Sequence, residues 1–290
     1  MRIASYVHGG VHRVGVVSAD GTQVTAFELA ADAARQGALP LIEAAAAGAP
    51  LPALAATALP LASVRLIAPM PRPRRNLWCV GRNYHAHARE LAASVFKENS
   101  ADVVAWPIVF TKVPETVIGP ADEVALPGAA ISAQIDYEAE LALVIGKGGK
   151  NIRKADWREH VYGYTIVNDV TARDVQMRHQ QWDMGKSFDT FCPMGPWIVT
   201  ADELDATRTR VRCWVNGELR QDARTEDLIF DLPTLVETLS RGITLHPGDV
   251  IATGTPAGVG MGFKPPRYLA AGDRVRIEID GLGAIENRFV

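Results

Sequence analysis

The acids best placed to do chemistry in this 290-residue chain lie in one short stretch, Asp136-Tyr137-Glu138-Ala139-Glu140. It runs directly into Leu141–Gly146, an apolar run that ends at glycine, and such a pattern reads as a strand. Residues two apart on a strand share a face and sit about 6.5–7 Å apart. Asp136, Glu138 and Glu140 are therefore expected to point the same way. Carboxylates that lean to about 5–6 Å repel by on the order of 3 kcal/mol at an effective dielectric of ~20. A strand heading into a core carries that charge only with a cation between the acids. Hard oxygen ligands select Mg²⁺, Mn²⁺ or Ca²⁺ over Zn²⁺. An edge strand with a solvated acidic face fits the same letters.

Other reactive residues are scattered along the chain. His87 and Glu90 stand three apart in a segment that reads as a helix, so their side chains are neighbours. A carboxylate that orients an imidazole makes a general base; a surface His–Glu pair has the same spacing. Asp169 falls at the end of an apolar strand-like run, where a third carboxylate can join Glu138 and Glu140. Asp169, Arg173 and Gln176 also follow the i, i+4, i+7 rhythm of one helix face, and Asp169 equally suits an N-cap. Lys186, between Gly185 and Ser187, is either a positioned cation or a solvent lysine. The loop Gly254–Gly262 is rich in glycine without the spacing of a phosphate or dinucleotide loop,. Its glycines permit close backbone approach to a ligand or simply a turn.

The elements that must position these groups are mostly strands. Met1–Tyr6, Val11–Ser18 and Gln23–Phe27 read as strands separated by Gly9-Gly10 and Asp20-Gly21, the latter a hairpin signal. Glu28–Gly37 and Pro40–Ala47 read as helices, and Ala53–Ser63 is apolar and low in complexity. Further strands are expected at Asn76–Val80, Pro107–Lys112, Val161–Val167, Trp197–Val199, Arg210–Val215, Val250–Thr253 and Arg274–Ile279. Helices are expected at Lys154–Glu159 and Leu232–Ser240, and turns at Asn216-Gly217 and Pro247–Asp249. The polar, irregular segment Ala92–Trp106 follows the candidate base directly, as a lid would. A Pro/Arg cluster at Pro69–Arg75 divides a small N-terminal domain, residues 1–70, from a larger one, residues 71–290.

Composition removes several functions. A net charge of −3 offers no basic surface for nucleic acid or anionic membrane,. No apolar run reaches the ~18 residues of a membrane span, and no signal-peptide pattern is evident. Cys79, Cys192 and Cys213 make neither a disulfide framework nor a C-x-x-C pair,. A reducing, cytoplasmic setting is the expectation.

Taken together, the motifs resemble the fumarylacetoacetate hydrolase family. The resemblance rests on Gly81-Arg82-Asn83-Tyr84 with His87 and Glu90, Tyr137–Leu141, Asn168–Gln176, Gly185–Phe188 and Gly254–Gly260, in that order across residues 76–290. It implies a strand-rich α+β fold, a mixed β-roll or β-sandwich of that family's C-terminal-domain type, beside a small N-terminal α/β domain. It implies a homodimer and a divalent metal, Mg²⁺ or Mn²⁺ with Ca²⁺ as a further option, held by Glu138, Glu140 and Asp169. Catalytic roles fall on His87, Glu90 and Lys186, and substrate contacts on Arg82, Tyr84, Lys112, Arg173, Gln176 and Thr255. The implied substrate is a small β-diketo or 2-oxo acid. The first expectation is hydrolysis of an acylpyruvate, with His87 activating a water and an enolate stabilised beside Lys186. The alternative is decarboxylation, hydration or isomerisation of a 2-oxo acid on the same site.

Overall fold

The structure is a computed structural model and describes residues 1–92, 105–178 and 181–290. The N-terminal strands are β1 (Arg2–His8), β2 (Val11–Val17), β3 (Gln23–Phe27), β4 (Leu54–Pro60) and β5 (Arg65–Ile67). The helices α1 (Ala31–Arg35) and α2 (Leu39–Ala46) lie between β3 and β4. β4 occupies the stretch whose low complexity gave no periodic signal; it forms because pairing with β3 supplies its hydrogen bonds,.

Next come β6 (Leu77–Gly81), α3 (His85–Ala92), β7 (Ile108–Lys112), β8 (Val117–Ile118), β9 (Ile135–Asp136) and β10 (Ala139–Ile145). They are followed by α4 (Trp157–His160), β11 (Val161–Asn168), β12 (Thr171–Ala172), α5 (Arg173–Gln176), α6 (Asp183–Lys186) and β13 (Cys192–Thr200). The chain closes with β14 (Arg210–Val215), β15 (Glu218–Arg224), α7 (Leu232–Ser240), β16 (Val250–Ala252), β17 (Arg274–Ile279) and β18 (Gly283–Arg288).

Among the described residues, twelve strands form one mixed sheet in the order β4-β3-β2-β1-β13-β11-β10-β16-β6-β7, with β5 on β1 and β8 on β13. Most pairs are antiparallel, whereas β16 runs parallel to β6 and β8 to β13. The N-terminal strands join this sheet through β1 against β13, so hydrogen bonding is continuous across the composition boundary near residue 70. A second antiparallel sheet, β15-β14-β17-β18, packs its apolar face against the first. Its strands alternate buried and exposed residues, as a half-covered sheet does,.

β10 lies between β11 and β16 and is buried along its whole length. Its apolar sequence needs that position, since an interior strand covered on both faces reads as a continuous hydrophobic run. Parallel pairing brings the C-terminal ends of β6 and β16 to one end of the sheet, and antiparallel pairing brings the first residues of β10 to the same end. The loops leaving β6, β11 and β16 therefore meet above the start of β10.

Candidate active site

Register assembles the acids. Ala139 of β10 lies opposite Asn168 of β11, so the last residues of one strand flank the first of the other. The Asp169 N–H donates to the Glu138 carbonyl at 2.9 Å, and the Glu138 N–H donates to Asn168 Oδ1 at 3.0 Å. Glu138, Glu140 and Asp169 each bring a carboxylate oxygen within 4.8 Å of the others. They are 5%, 1% and 0% exposed, which excludes a solvated acidic edge.

Two expectations about these acids need correction. Asp136 ends β9, and the chain bends through Tyr137 and Glu138 before β10 begins, so it does not share the triad's face. Its Oδ1 accepts the N–H groups of Tyr137 and Gly260 at 2.9 and 2.7 Å. Its Oδ2 accepts from the Met261 N–H at 3.0 Å and from Arg173 Nε at 2.9 Å. Asp169 neither caps nor belongs to a helix. α5 starts at Arg173, its N-cap is Ala172, and no side chain caps it. Asp169 reaches the site from a strand end instead.

The charges around the triad are uneven. Lys186 Nζ donates to Glu138 Oε2 at 2.6 Å and to Asp169 Oδ2 at 2.7 Å. Arg173 Nη1 lies 2.7 Å from Glu138 Oε1. Lys112 Nζ sits 2.8 Å from Asp169 Oδ1, while donating to the carbonyls of Val170 and Lys186. Burial alone would raise the Glu138 carboxyl, but Lys186 and Arg173 outweigh it and hold it down to about 2,. Glu140 is pushed well above the usual range by burial and by the charges of Asp169 and Glu138. Its Oε2 accepts only the Gly254 N–H, at 2.8 Å, among the described residues. Three buried hard-oxygen donors, one of them in no salt bridge among the described residues, fit a divalent ion,.

Glu138 and Glu140 of the triad open on a cavity of about 20 Å³, room for one water-sized group,. Arg82, His87, Arg173, Gln176, Lys186 and Thr255 line it, with Phe110 and Trp182 as an apolar wall. The two rings pack 5.3 Å apart, and Lys186 Nζ lies 4.8 Å from the Phe110 ring centre. His87 is buried on α3, with Nδ1 at 3.1 Å from Glu90 Oε2. Glu90 Oε1 in turn accepts the Gly258 N–H at 3.0 Å. A proton on Nδ1 donates to this carboxylate, and in that tautomer Nε2 is the nitrogen left to act as a base. Arg173 lines the cavity, and its buried Nη2 has no hydrogen-bond partner among the described residues. Arg82 holds φ +55°, a left-handed conformation rare outside glycine, which marks stored strain beside the site.

Two expected contacts lie elsewhere. Tyr84 is buried in the apolar core and borders a separate groove with His85 and Arg89, outside the lining of the triad's cavity. Lys112 stands behind Asp169, outside the cavity lining. The expected lid, Ala92–Trp106, falls almost wholly outside the described residues.

Sequence reasoning also missed two buried amides. Asn83 donates to the carbonyls of Phe230 and Thr253 at 3.0 and 2.8 Å and accepts the Phe230 N–H at 2.8 Å, fastening the β6–α3 turn to the end of β16. Gln221 of β15 joins the acidic strand to Thr255. Neither residue type announces itself in a linear chain; only the position of Asn83 inside the Gly81–Tyr84 motif was a signal.

Residues 76–290 match the family described as fumarylacetoacetate (FAA) hydrolase C-terminal. The chain belongs to the fumarylacetoacetate hydrolase family. It is 50% identical over 230 residues to oxaloacetate tautomerase YisK of Bacillus subtilis (strain 168), covering 79% of this chain and 74% of that one. Its structure is similar to that of a fumarylacetoacetate hydrolase from psychrophilic Exiguobacterium antarcticum, with TM-score 0.84 and 40% identity over 100% of this chain and 99% of the other. It also resembles a maleylpyruvate hydrolase from Sphingobium sp. SYK-6 solved with manganese(II) ion and pyruvate, with TM-score 0.77 and 33% identity over 100% and 99% of the two chains. The chain is thus an enzyme of this family, with a strand-rich α+β fold and a buried acidic triad able to bind a metal ion. No helix among the described residues is long and apolar enough to cross a membrane.

Proposed function

We propose that this enzyme interconverts the enol and keto forms of a small 2-oxo acid of the oxaloacetate type. The observation that carries the reading is one cavity lined by Glu138 and Glu140 of the acidic triad, by the Glu90-oriented His87 and by Arg173, whose Nη2 has no hydrogen-bond partner among the described residues. The 50% identity to an oxaloacetate tautomerase supports the same substrate class.

Glu138, Glu140 and Asp169 would hold Mg²⁺ or Mn²⁺, with Ca²⁺ the third option, and the ion would supply a Lewis acid toward the substrate's oxygens. Arg173 Nη2 offers a charge-assisted hydrogen bond to a carboxylate. Gln176 and Thr255 add neutral polar contacts from the cavity wall. His87 Nε2 takes a proton from the carbon next to the carbonyl, and the electron pair moves onto the carbonyl oxygen as an enolate. Lys186 stabilises that negative charge. The proton taken up by His87 Nε2 is then delivered to the oxygen to complete the enol, and the reverse sequence restores the ketone, with no net gain or loss of atoms. Phe110 and Trp182 keep bulk water from the carbanion-like centre. The reading brings with it the homodimer implied by the family resemblance and a division into residues 1–70 and 71–290.

Acylpyruvate hydrolysis is the second reading, favoured by the likeness to a maleylpyruvate hydrolase with pyruvate bound. His87 would then deprotonate water rather than carbon. One assay separates the two. Freshly dissolved enol oxaloacetate with Mg²⁺ should lose enol absorbance faster with enzyme and release no pyruvate. Pyruvate with carbon dioxide would mean decarboxylation. Pyruvate from an acylpyruvate, with oxaloacetate untouched, would replace the proposal with hydrolysis.

A further inference from the structure

Gln221 sits on β15 in the second sheet, fully buried, and is remote in sequence from every motif of the site. Its side chain nonetheless bridges two of them. The Ala139 N–H, between Glu138 and Glu140, donates to Gln221 Oε1 at 3.1 Å. Gln221 Nε2 donates to the Pro256 carbonyl at 2.8 Å and to Thr255 Oγ1 at 2.7 Å.

The polarity of this chain of bonds is fixed by the backbone. An amide N–H only donates and a carbonyl only accepts, so the Ala139 and Pro256 contacts orient the Gln221 amide. Both Nε2 protons are then committed, one to Pro256 and one to Thr255. The Thr255 hydroxyl is thereby made an acceptor toward Gln221, and its own proton must point elsewhere. Thr255 is 2% exposed and lines the cavity. We infer that Gln221 is a positioning residue that sets Thr255 as a hydrogen-bond donor to an anionic oxygen of the ligand. A donor in a dry cavity favours a carboxylate or an enolate oxygen over a neutral group. The inference rests on the 2-oxo acid reading of the site.

The sequence explains why this residue lies there. β15 pairs with β14 with a register shift between Cys213 and Trp214, and Gln221 pairs with Cys213 at that irregularity. Gln221 is buried where its neighbours Arg220 and Asp222 are more exposed. An apolar side chain there would strand the Ala139 N–H and the Pro256 carbonyl. A buried glutamine satisfies both and has one proton left for Thr255.

The test is a double-mutant cycle on the binding of oxalate, a planar dicarboxylate probe, at saturating Mg²⁺. Gln221→Glu keeps the acceptor toward Ala139 but has no proton for Thr255, whose hydroxyl must turn back to the new carboxylate. Oxalate affinity is expected to fall about tenfold, as it should in Thr255→Val, while Thr255→Ser stays within about twofold of wild type. In the Thr255→Val background, Gln221→Glu should cause no further loss, because the group it acts through is gone. Gln221→Met, uncharged and of similar size, should give the same dependence on Thr255 if the glutamate variant does not fold. Mn²⁺ affinity without oxalate, read by calorimetry, should stay within about threefold in Gln221→Met. Additive losses in the double variants, or unchanged oxalate affinity in both Gln221 variants, overturn the inference while leaving the functional reading intact. Wild-type enzyme that binds no oxalate with Mg²⁺ overturns both.

Discussion

His87 and Glu90 meet at 3.1 Å, Nδ1 to Oε2, and the second oxygen of Glu90 is held by the Gly258 N–H. This makes the glutamate a link between helix α3 and the glycine-rich loop. It also dictates what an amide would do in its place. In Glu90→Gln the side-chain carbonyl must stay with the Gly258 N–H, so the NH₂ group faces His87. The imidazole would then have to accept at Nδ1 and carry its proton on Nε2, the wrong tautomer for a base. The rate should fall on the order of 10²–10⁴-fold, close to the loss in His87→Ala. Enol-loss kinetics on both variants check this; a mild Glu90→Gln defect beside a severe His87→Ala one would refute the tautomer assignment.

Gly262 is a second lever on the same pair. A Cβ there would collide with the Glu90 carboxylate. Gly262→Ala should push Glu90 off His87 and slow turnover by up to about 10²-fold, since small misplacements of catalytic groups cost that much. Mn²⁺ affinity should be unaffected, because the triad lies on other elements. Parallel kinetics and calorimetry separate the two effects, and equal losses in both would mean the whole site has shifted.

The neighbouring glutamates should behave in opposite ways when neutralised. Glu138 is paired with Lys186 and Arg173, so Glu138→Gln leaves two buried cations short of a partner and should cost about 3–5 kcal/mol in the metal-free protein,. Glu140 faces Asp169 and Glu138 and makes no salt bridge among the described residues, and their charges outweigh that of Lys186, so Glu140→Gln relieves repulsion. Its metal-free melting temperature should equal or exceed that of wild type, while Mn²⁺ affinity drops at least about 100-fold with the loss of a charged ligand. Thermal melts with and without Mn²⁺ decide the matter; retained affinity in Glu140→Gln would remove it from the ligand set.

Asn83 should be a structural keystone. Asn83→Ala removes three hydrogen bonds and leaves the Phe230 and Thr253 groups unsatisfied in the interior. At about 1 kcal/mol per bond plus the cost of orphaned groups, it should destabilise by roughly 3–5 kcal/mol. Denaturant unfolding measures it, and a change under about 1 kcal/mol would show that water replaces the side chain.

Much of this enzyme was legible in its letters because the signals are local. The runs Gln23–Phe27, Arg210–Val215, Arg274–Ile279 and Leu232–Ser240 form the elements expected at those residues. Periodicity and turn residues carry that information within a few positions. Glu138, Glu140 and Asp169 were recognisable as a set through the family resemblance of the motifs that carry them, each a short local run of letters.

The tertiary structure alone decided which groups meet. Asp136 looked like a ligand by spacing, but a bend after β9 sends it to Arg173 and the glycine-rich loop. Asp169 looked like a helix residue, yet it arrives from a strand end through the register of β10 against β11. Tyr84 left the cavity, and Gln221 entered the network from the second sheet. The physical reason is common to all four. Local periodicity sets the face a side chain takes on its own element, but strand register and packing between distant segments set what that face touches. Those interactions have no counterpart in the neighbouring sequence.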